Sequence, residues 1–140
     1  SVPTLVRGRG EQFLKLPKLP LCWFVICKPD FSFSTAEMYE KFDEKKPAFA
    51  IDSLGLIKAL EYQDMLEISD RLGNCFEAVL EPSSEIFTIK SKLLALGARN
   101  ACMSGSGSAV YGLFTQESEA RAAAEEVQKV YAQTWFVESV

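Results

Sequence analysis

The spacing of apolar positions changes along this chain, and each spacing predicts an element. Thr4-Leu5-Val6-Arg7 and Gln12-Phe13-Leu14-Lys15-Leu16 read as two short extended runs around the turn residues Gly8-Arg9-Gly10-Glu11, the pattern of a hairpin. Two strands alone are marginal in water, so this hairpin needs a sheet to lean on. Leu16-Pro17-Lys18-Leu19-Pro20 interrupts any regular element and reads as a linker. Leu21-Cys22-Trp23-Phe24-Val25-Ile26-Cys27 is then continuously apolar and rich in aromatic and β-branched residues, which predicts a central strand covered on both faces.

Beyond Lys28-Pro29-Asp30 the spacing lengthens to that of helices. Ser34 or Thr35 caps a helix carrying Ala36, Met38, Tyr39 and Phe42, and a short helix follows from about Asp52 to Leu60. Met65, Ile68, Leu72, Phe76 and Val79 recur at steps of three and four, one stripe of a helix that begins near Gln63 and is stopped by Pro82. Ser83 or Ser84 caps a further helix with Ile86, Ile89, Leu93 and Leu96 inward and Gly97 after its end. In the last third, Ala101-Cys102-Met103 and Ala109-Val110-Tyr111-Gly112-Leu113-Phe114 read as strands joined by Ser104-Gly105-Ser106-Gly107-Ser108. A helix from about Glu117 to Tyr131 turns Ala120, Ala123, Ala124, Val127 and Tyr131 to one face, and Trp135 to Val140 closes the chain as a strand. This order predicts an α+β fold, a ferredoxin-like βαββαβ core with extra helices inserted after the first strand. Trp23, Tyr111, Trp135 and Phe136 are expected in its core.

Composition narrows the picture. With 140 residues, 48% hydrophobic and 24% charged, the chain suits one domain with a core of its own. Fifteen basic against nineteen acidic residues give a formal charge of −4, so the broad basic footprint of a nucleic-acid binder is missing. No apolar run approaches the roughly 18 residues that cross a bilayer, and the N-terminus lacks the layout of a secretion signal. A soluble, cytoplasmic chain is expected. It begins with Ser1 rather than methionine, which suggests a processed chain or a piece of a longer one. The absence of histidine excludes Ser-His-Asp and Cys-His catalysis and His-ligated metal sites. Cys22, Cys27, Cys75 and Cys102 match no zinc spacing and are expected to be buried, reduced thiols.

The candidate chemistry lies in Met103-Ser104-Gly105-Ser106-Gly107-Ser108. Alternating glycines let a backbone turn tightly and approach a ligand, while serine hydroxyls and successive N–H groups donate to anionic oxygens; the same composition also suits a plain flexible connection. It is not a Walker A loop, because Ser108-Ala109 follow Gly107 where Lys and Ser or Thr are required. Nor is it a nucleophile elbow, because Ser106 has glycines on both sides and no histidine can activate it. Lys28, Asp30, Ser34 and Thr35 either face a cleft or build a turn and a helix cap. Asn74, within the predicted helix, either ties a neighbouring loop by hydrogen bonds or is a surface residue. Arg7 and Arg9 and the run Asp43-Glu44-Lys45-Lys46 read as solvated.

Leu94-Ala95-Leu96-Gly97-Ala98, then Met103-Ser104-Gly105-Ser106-Gly107, with Tyr111-Gly112-Leu113-Phe114 behind, resembles the third conserved motif of the GHMP kinases. Gly8-Arg9-Gly10-Glu11, Lys28-Pro29, Ser34-Thr35-Ala36-Glu37 with Tyr39, and Asn74 ahead of Phe76-Glu77-Ala78-Val79 extend the likeness over nearly the whole chain and bring it nearest to a kinase of non-mevalonate isoprenoid biosynthesis. Ser108-Ala109 depart from the Pro-Thr common in that kinase. The resemblance implies an ATP- and Mg2+-dependent small-molecule kinase in which Ser104, Gly105, Ser106 and Gly107 line the nucleotide phosphates. It places the catalytic Asp and Lys in an N-terminal domain that nothing here matches. On this reading residues 1–18 are a hairpin and linker left from that domain and 19–140 are the C-terminal domain. The expected partners are the N-terminal domain of the same parent chain and a small-molecule substrate, not nucleic acid or membrane, with self-association through the exposed interface. The fragment alone is expected to be inactive and to hold no tightly bound cofactor. The alternatives are a superfamily member acting on homoserine, mevalonate or a sugar, and a noncatalytic ferredoxin-like binding module.

Overall fold

Two extended segments open the chain: β1, Thr4–Arg7, and β2, Gln12–Lys15, pair antiparallel with Thr4 opposite Lys15 and Arg7 opposite Gln12. They form a sheet of their own, and neither pairs with the larger sheet. The turn Gly8-Arg9-Gly10-Glu11 and the linker residues Leu16 and Pro17 lie outside the described residues, which in this computed structural model are 4–7, 12–15, 18–48 and 53–139.

The larger sheet is built on β3, Trp23–Cys27, with β4, Asn100–Met103, β5, Val110–Phe114, and β6, Thr134–Glu138. It is antiparallel throughout, in the order β4-β5-β3-β6, so that Val25 lies opposite both Gly112 and Phe136. β3 is central, as its apolar run predicts, but it is not equally covered. Val25 and Cys27 are fully buried, whereas Phe24 and Ile26, on the opposite face by the two-residue period of a strand, are half-buried. The expectation of cover on both faces is corrected accordingly. Trp135 is corrected too: it lies on the edge strand β6 and is 49% exposed rather than in the core.

The helices are α1, Thr35–Lys45, α2, Ser53–Glu61, α3, Met65–Asp70, α4, Glu85–Ala95, and α5, Glu117–Gln128. Ser34 caps α1 by accepting from the Glu37 N–H at 3.3 Å, and Ser84 caps α4 by accepting from Ile86 at 3.3 Å. The single helix expected between Gln63 and Pro82 is instead two pieces, α3 and a 3-10 turn at Cys75–Val79. Asn74 makes the break: it is extended (φ −144°, ψ 115°), and its Oδ1 accepts from the Phe76 N–H at 2.9 Å, a local bond that competes with helix continuation. The apolar stripe is divided as well. Ile68 joins Ala59 and Leu60 in a small cluster with Leu19 and Leu56, while Phe76 and Val79 join the main core.

That main core lies between one face of the sheet and helices α4 and α5. Ile86, Ile89 and Leu93 of α4 and Ala120, Ala123 and Val127 of α5 close over Val25, Cys27, Val110 and Phe114, all buried. Full burial of a side chain such as Leu93 contributes about 1.5–3 kcal/mol. At the opposite margin, β4 is an edge strand whose outward groups are covered by the chain between residues 69 and 77. Asn100 Nδ2 donates to the Ser69 carbonyl at 2.7 Å and to the Leu72 carbonyl at 3.3 Å, and Glu77 Oε2 accepts from the Met103 N–H at 2.9 Å. Among the described residues no helix is long and apolar enough to cross a membrane.

Candidate functional site

β4 ends at Met103 and β5 begins at Val110, and because these strands are antiparallel neighbours the residues between them make a tight loop at one end of the sheet. The Ser104 N–H donates to the Ala109 carbonyl at 2.8 Å and the Gly107 N–H to the Ser104 carbonyl at 3.0 Å, which closes the neck. Gly105 (φ +56°) and Gly107 (φ +89°) take the left-handed conformations that the loop requires. Ser104 and Gly105 are exposed, Ser106 and Gly107 half-buried. The loop is therefore open rather than walled beneath packed side chains. No described group pairs with the N–H of Gly105 or Ser106. Two unspent backbone donors thus stand beside the hydroxyls of Ser104 and Ser106, all of them groups that can donate to anionic oxygen.

Ser108 belongs to the support beneath the loop. It is 1% exposed, and its Oγ donates to the Phe31 carbonyl. Lys28, at the end of β3, reaches Ser108 Oγ at 3.4 Å and the carbonyls of Pro29 and Phe31 at 3.3 Å. It thus builds the turn while placing a positive charge under the loop. Thr35 Oγ1 and Ser106 Oγ share a hydrogen bond at 3.0 Å, joining the start of α1 to the loop. Of the residues singled out after β3, Lys28 and Thr35 reach the loop, whereas Ser34 is spent on its cap.

Asn74 ties the other side, as one of its two sequence readings anticipates, although from a cap and not from within a helix. Its Nδ2 donates to the Met103 carbonyl at 2.6 Å and to the Gly105 carbonyl at 2.7 Å. Glu77 and Lys90 escape sequence reasoning. Glu77 accepts from the Met103 N–H and pairs closely with Lys90 of α4, both side chains being largely buried at 12% and 24% exposure. The one signal available was a carboxylate set in the apolar run Phe76-Glu77-Ala78-Val79.

Burial, then the Glu77 carboxylate, pushes the Cys102 thiol up, and burial, then Cys102, pushes the Tyr111 hydroxyl up, so both stay protonated at neutral pH and neither supplies a nucleophile or base. All four cysteines are free, Cys75 half-buried and the others buried. Among the described residues no three cysteine or carboxylate groups converge as a metal site requires. Two hollows flank the loop. One, of about 720 Å³, is lined along α1 by Thr35, Ala36, Tyr39, Glu40, Asp43 and Glu44. The other, of about 380 Å³, runs along the less covered face of the sheet past Leu19, Phe24, Ile26, Leu72, Tyr111 and Leu113, with Ser104 on its rim.

Known proteins resemble this chain in sequence and in fold. The family model described as GHMP kinases C terminal matches residues 56–133. A 4-diphosphocytidyl-2-C-methyl-D-erythritol kinase from Syntrophomonas wolfei is 38% identical over 136 residues, covering 96% of this chain and 48% of that protein. One of the same name from Moorella thermoacetica is 41% identical over 136 residues, covering 93% and 47%. A crystal structure of 4-(cytidine 5'-diphospho)-2C-methyl-D-erythritol kinase superposes with a TM-score of 0.78 at 26% identity, covering 96% of this chain and 48% of that one. The chain thus spans about half the length of the curated relatives it matches. With the glycine-serine loop in place at the end of an antiparallel four-stranded α+β sheet, the chain belongs to the family of GHMP kinase C-terminal domains.

Proposed function

We propose that this chain is the C-terminal part of a kinase that transfers the γ-phosphoryl group of ATP to a hydroxyl of 4-diphosphocytidyl-2-C-methyl-D-erythritol, in non-mevalonate isoprenoid biosynthesis. Its role there is to present Ser104, Gly105, Ser106 and Gly107 to the nucleotide phosphates. The observation that carries the reading is the open loop with the unpaired N–H groups of Gly105 and Ser106; the relatives' names supply the substrate. Charge in phosphoryl transfer spreads over the equatorial oxygens of the moving group, and donors fixed in advance stabilise it without reorganising. Mg2+, when bound to the nucleotide, neutralises phosphate charge, and the reading assigns none of its ligands to the described residues. The catalytic Asp and Lys belong to the N-terminal half.

The same reading makes residues 19–140 one ferredoxin-like domain, supported by the strand order β4-β5-β3-β6, and 1–18 a remnant of the preceding one. The N-terminal half covers the groove past Phe24, Ile26 and Tyr111, because Ser104 stands on its rim and a domain seated there closes over the loop. Without that half, the face is open to association between copies. The compartment is the cytoplasm.

A coupled ATP-consumption assay tests the proposal, with the complete kinase and the 140-residue chain each offered 4-diphosphocytidyl-2-C-methyl-D-erythritol, homoserine, mevalonate and a sugar. Turnover by the complete enzyme on the first substrate, and none by the chain alone, is expected. Turnover by the chain alone, or preference for another alcohol, overturns it.

A further inference from the structure

We infer that Asn74 and Glu77 are positioning residues that fix which way the loop's peptide groups point, and so set nucleotide affinity without touching the nucleotide. The inference rests on the reading of residues 104–107 as a phosphate cradle and adds to it the groups that keep the cradle in shape. Met103 is the last residue of an edge strand, and its N–H and C=O face away from β5. Glu77 Oε2 takes the N–H at 2.9 Å and Asn74 Nδ2 the C=O at 2.6 Å. Asn74 Nδ2 also takes the Gly105 C=O, at 2.7 Å. In a trans peptide the C=O and the following N–H point in opposite directions. Holding the Gly105 carbonyl against Asn74 therefore turns the Ser106 N–H to the other side, where no described group pairs with it. The same amide thus withdraws two carbonyls, which repel an anion, and exposes a donor, which attracts one. Gly105 has no side chain to resist a flip of its peptide, so orientation has to come from outside the loop. Glu77 is held in turn by Lys90, which anchors the neck to α4.

A purely structural account of Asn74 is its Oδ1 cap on Phe76. Asn74→Asp separates the two roles, since Asp caps as well as Asn but offers the two carbonyls an acceptor in place of a donor. In the complete kinase, Asn74→Asp raises the KM for ATP about tenfold or more while the KM for the alcohol changes less than about twofold, the loss of a donor shared by two carbonyls. Glu77→Gln, which keeps an acceptor for the Met103 N–H, raises the KM for ATP less than Glu77→Leu does. An unchanged KM for ATP in Asn74→Asp at native melting temperature overturns the inference. Should that variant fail to fold, Asn74→Ser, whose hydroxyl caps but cannot span both carbonyls, is read in the same way. Ser106→Pro, which deletes the exposed N–H itself, tells the two claims apart. If it raises the KM for ATP and Asn74→Asp does not, the positioning role alone fails. If it leaves the KM unchanged, the cradle reading fails.

Discussion

Added methyl groups meet different surroundings at the two glycines of the loop. A Cβ on Gly107 would lie 2.6 Å from the Phe33 ring and 2.7 Å from Met103 Sδ, whereas one on Gly105 meets nothing within 4 Å. Both positions carry a left-handed φ. Gly105→Ala is expected to cost about 1–2 kcal/mol, the left-handed penalty alone, and Gly107→Ala about 1–3 kcal/mol more, for overpacking. Urea unfolding of the 140-residue chain measures both, and equal costs would show that Phe33 and Met103 yield freely. The loop itself was legible because glycine and serine alternate nowhere else in the chain. Its supports were only partly so. Asn74 could be suspected, but Glu77, Lys90 and the burial of Ser108 depend on contacts between residues 13 to 77 positions apart, which no local spacing records.

Elements were read best where a single helical face meets a single core. α4 and α5 follow their periodicity, and Leu93, buried against the sheet, is a position where substitution by Ala is expected to cost about 2–5 kcal/mol and lower the global unfolding free energy. The stripe from Met65 to Val79 misled because its apolar residues serve two cores, and the hydrogen bond that Asn74 Oδ1 accepts from the Phe76 N–H outweighs the periodicity between them. This division has a measurable result. Ile68→Ala is expected to speed amide exchange in α2 and α3, the small cluster's own helices, while protection in β3 and β5 stays as it was. Uniform loss of protection across the sheet would mean that the two cores unfold as one.

At the scale of the whole molecule, the buried thiols are expected to contribute to the response to alkali. Burial pushes Cys27 up to about 11 from an ordinary value of 9.0. Its folded pKa lies above the unfolded one, so between these two values the unfolded chain gives up a proton that the native state keeps, and stability falls as pH rises. Over those two units the loss is on the order of 2–3 kcal/mol. Cys22, Cys102 and Tyr111 are shifted in the same direction, largely by burial. Urea midpoints taken from pH 8 upward should therefore decline, and less steeply in Cys27→Ala; parallel declines would assign the effect to other groups.

The two margins of the larger sheet are unlike. Along β4 the Ala101 N–H is taken by Asn100, and the Met103 N–H and C=O by Glu77 and Asn74, while on β6, with Trp135 and Val137 exposed, the Thr134 N–H at its start is the only outward backbone group with a partner among the described residues. A foreign strand that tries to zip onto this molecule finds its hydrogen-bonding partners already taken on one side and must join on the other, so any growth of the sheet between molecules has a fixed polarity.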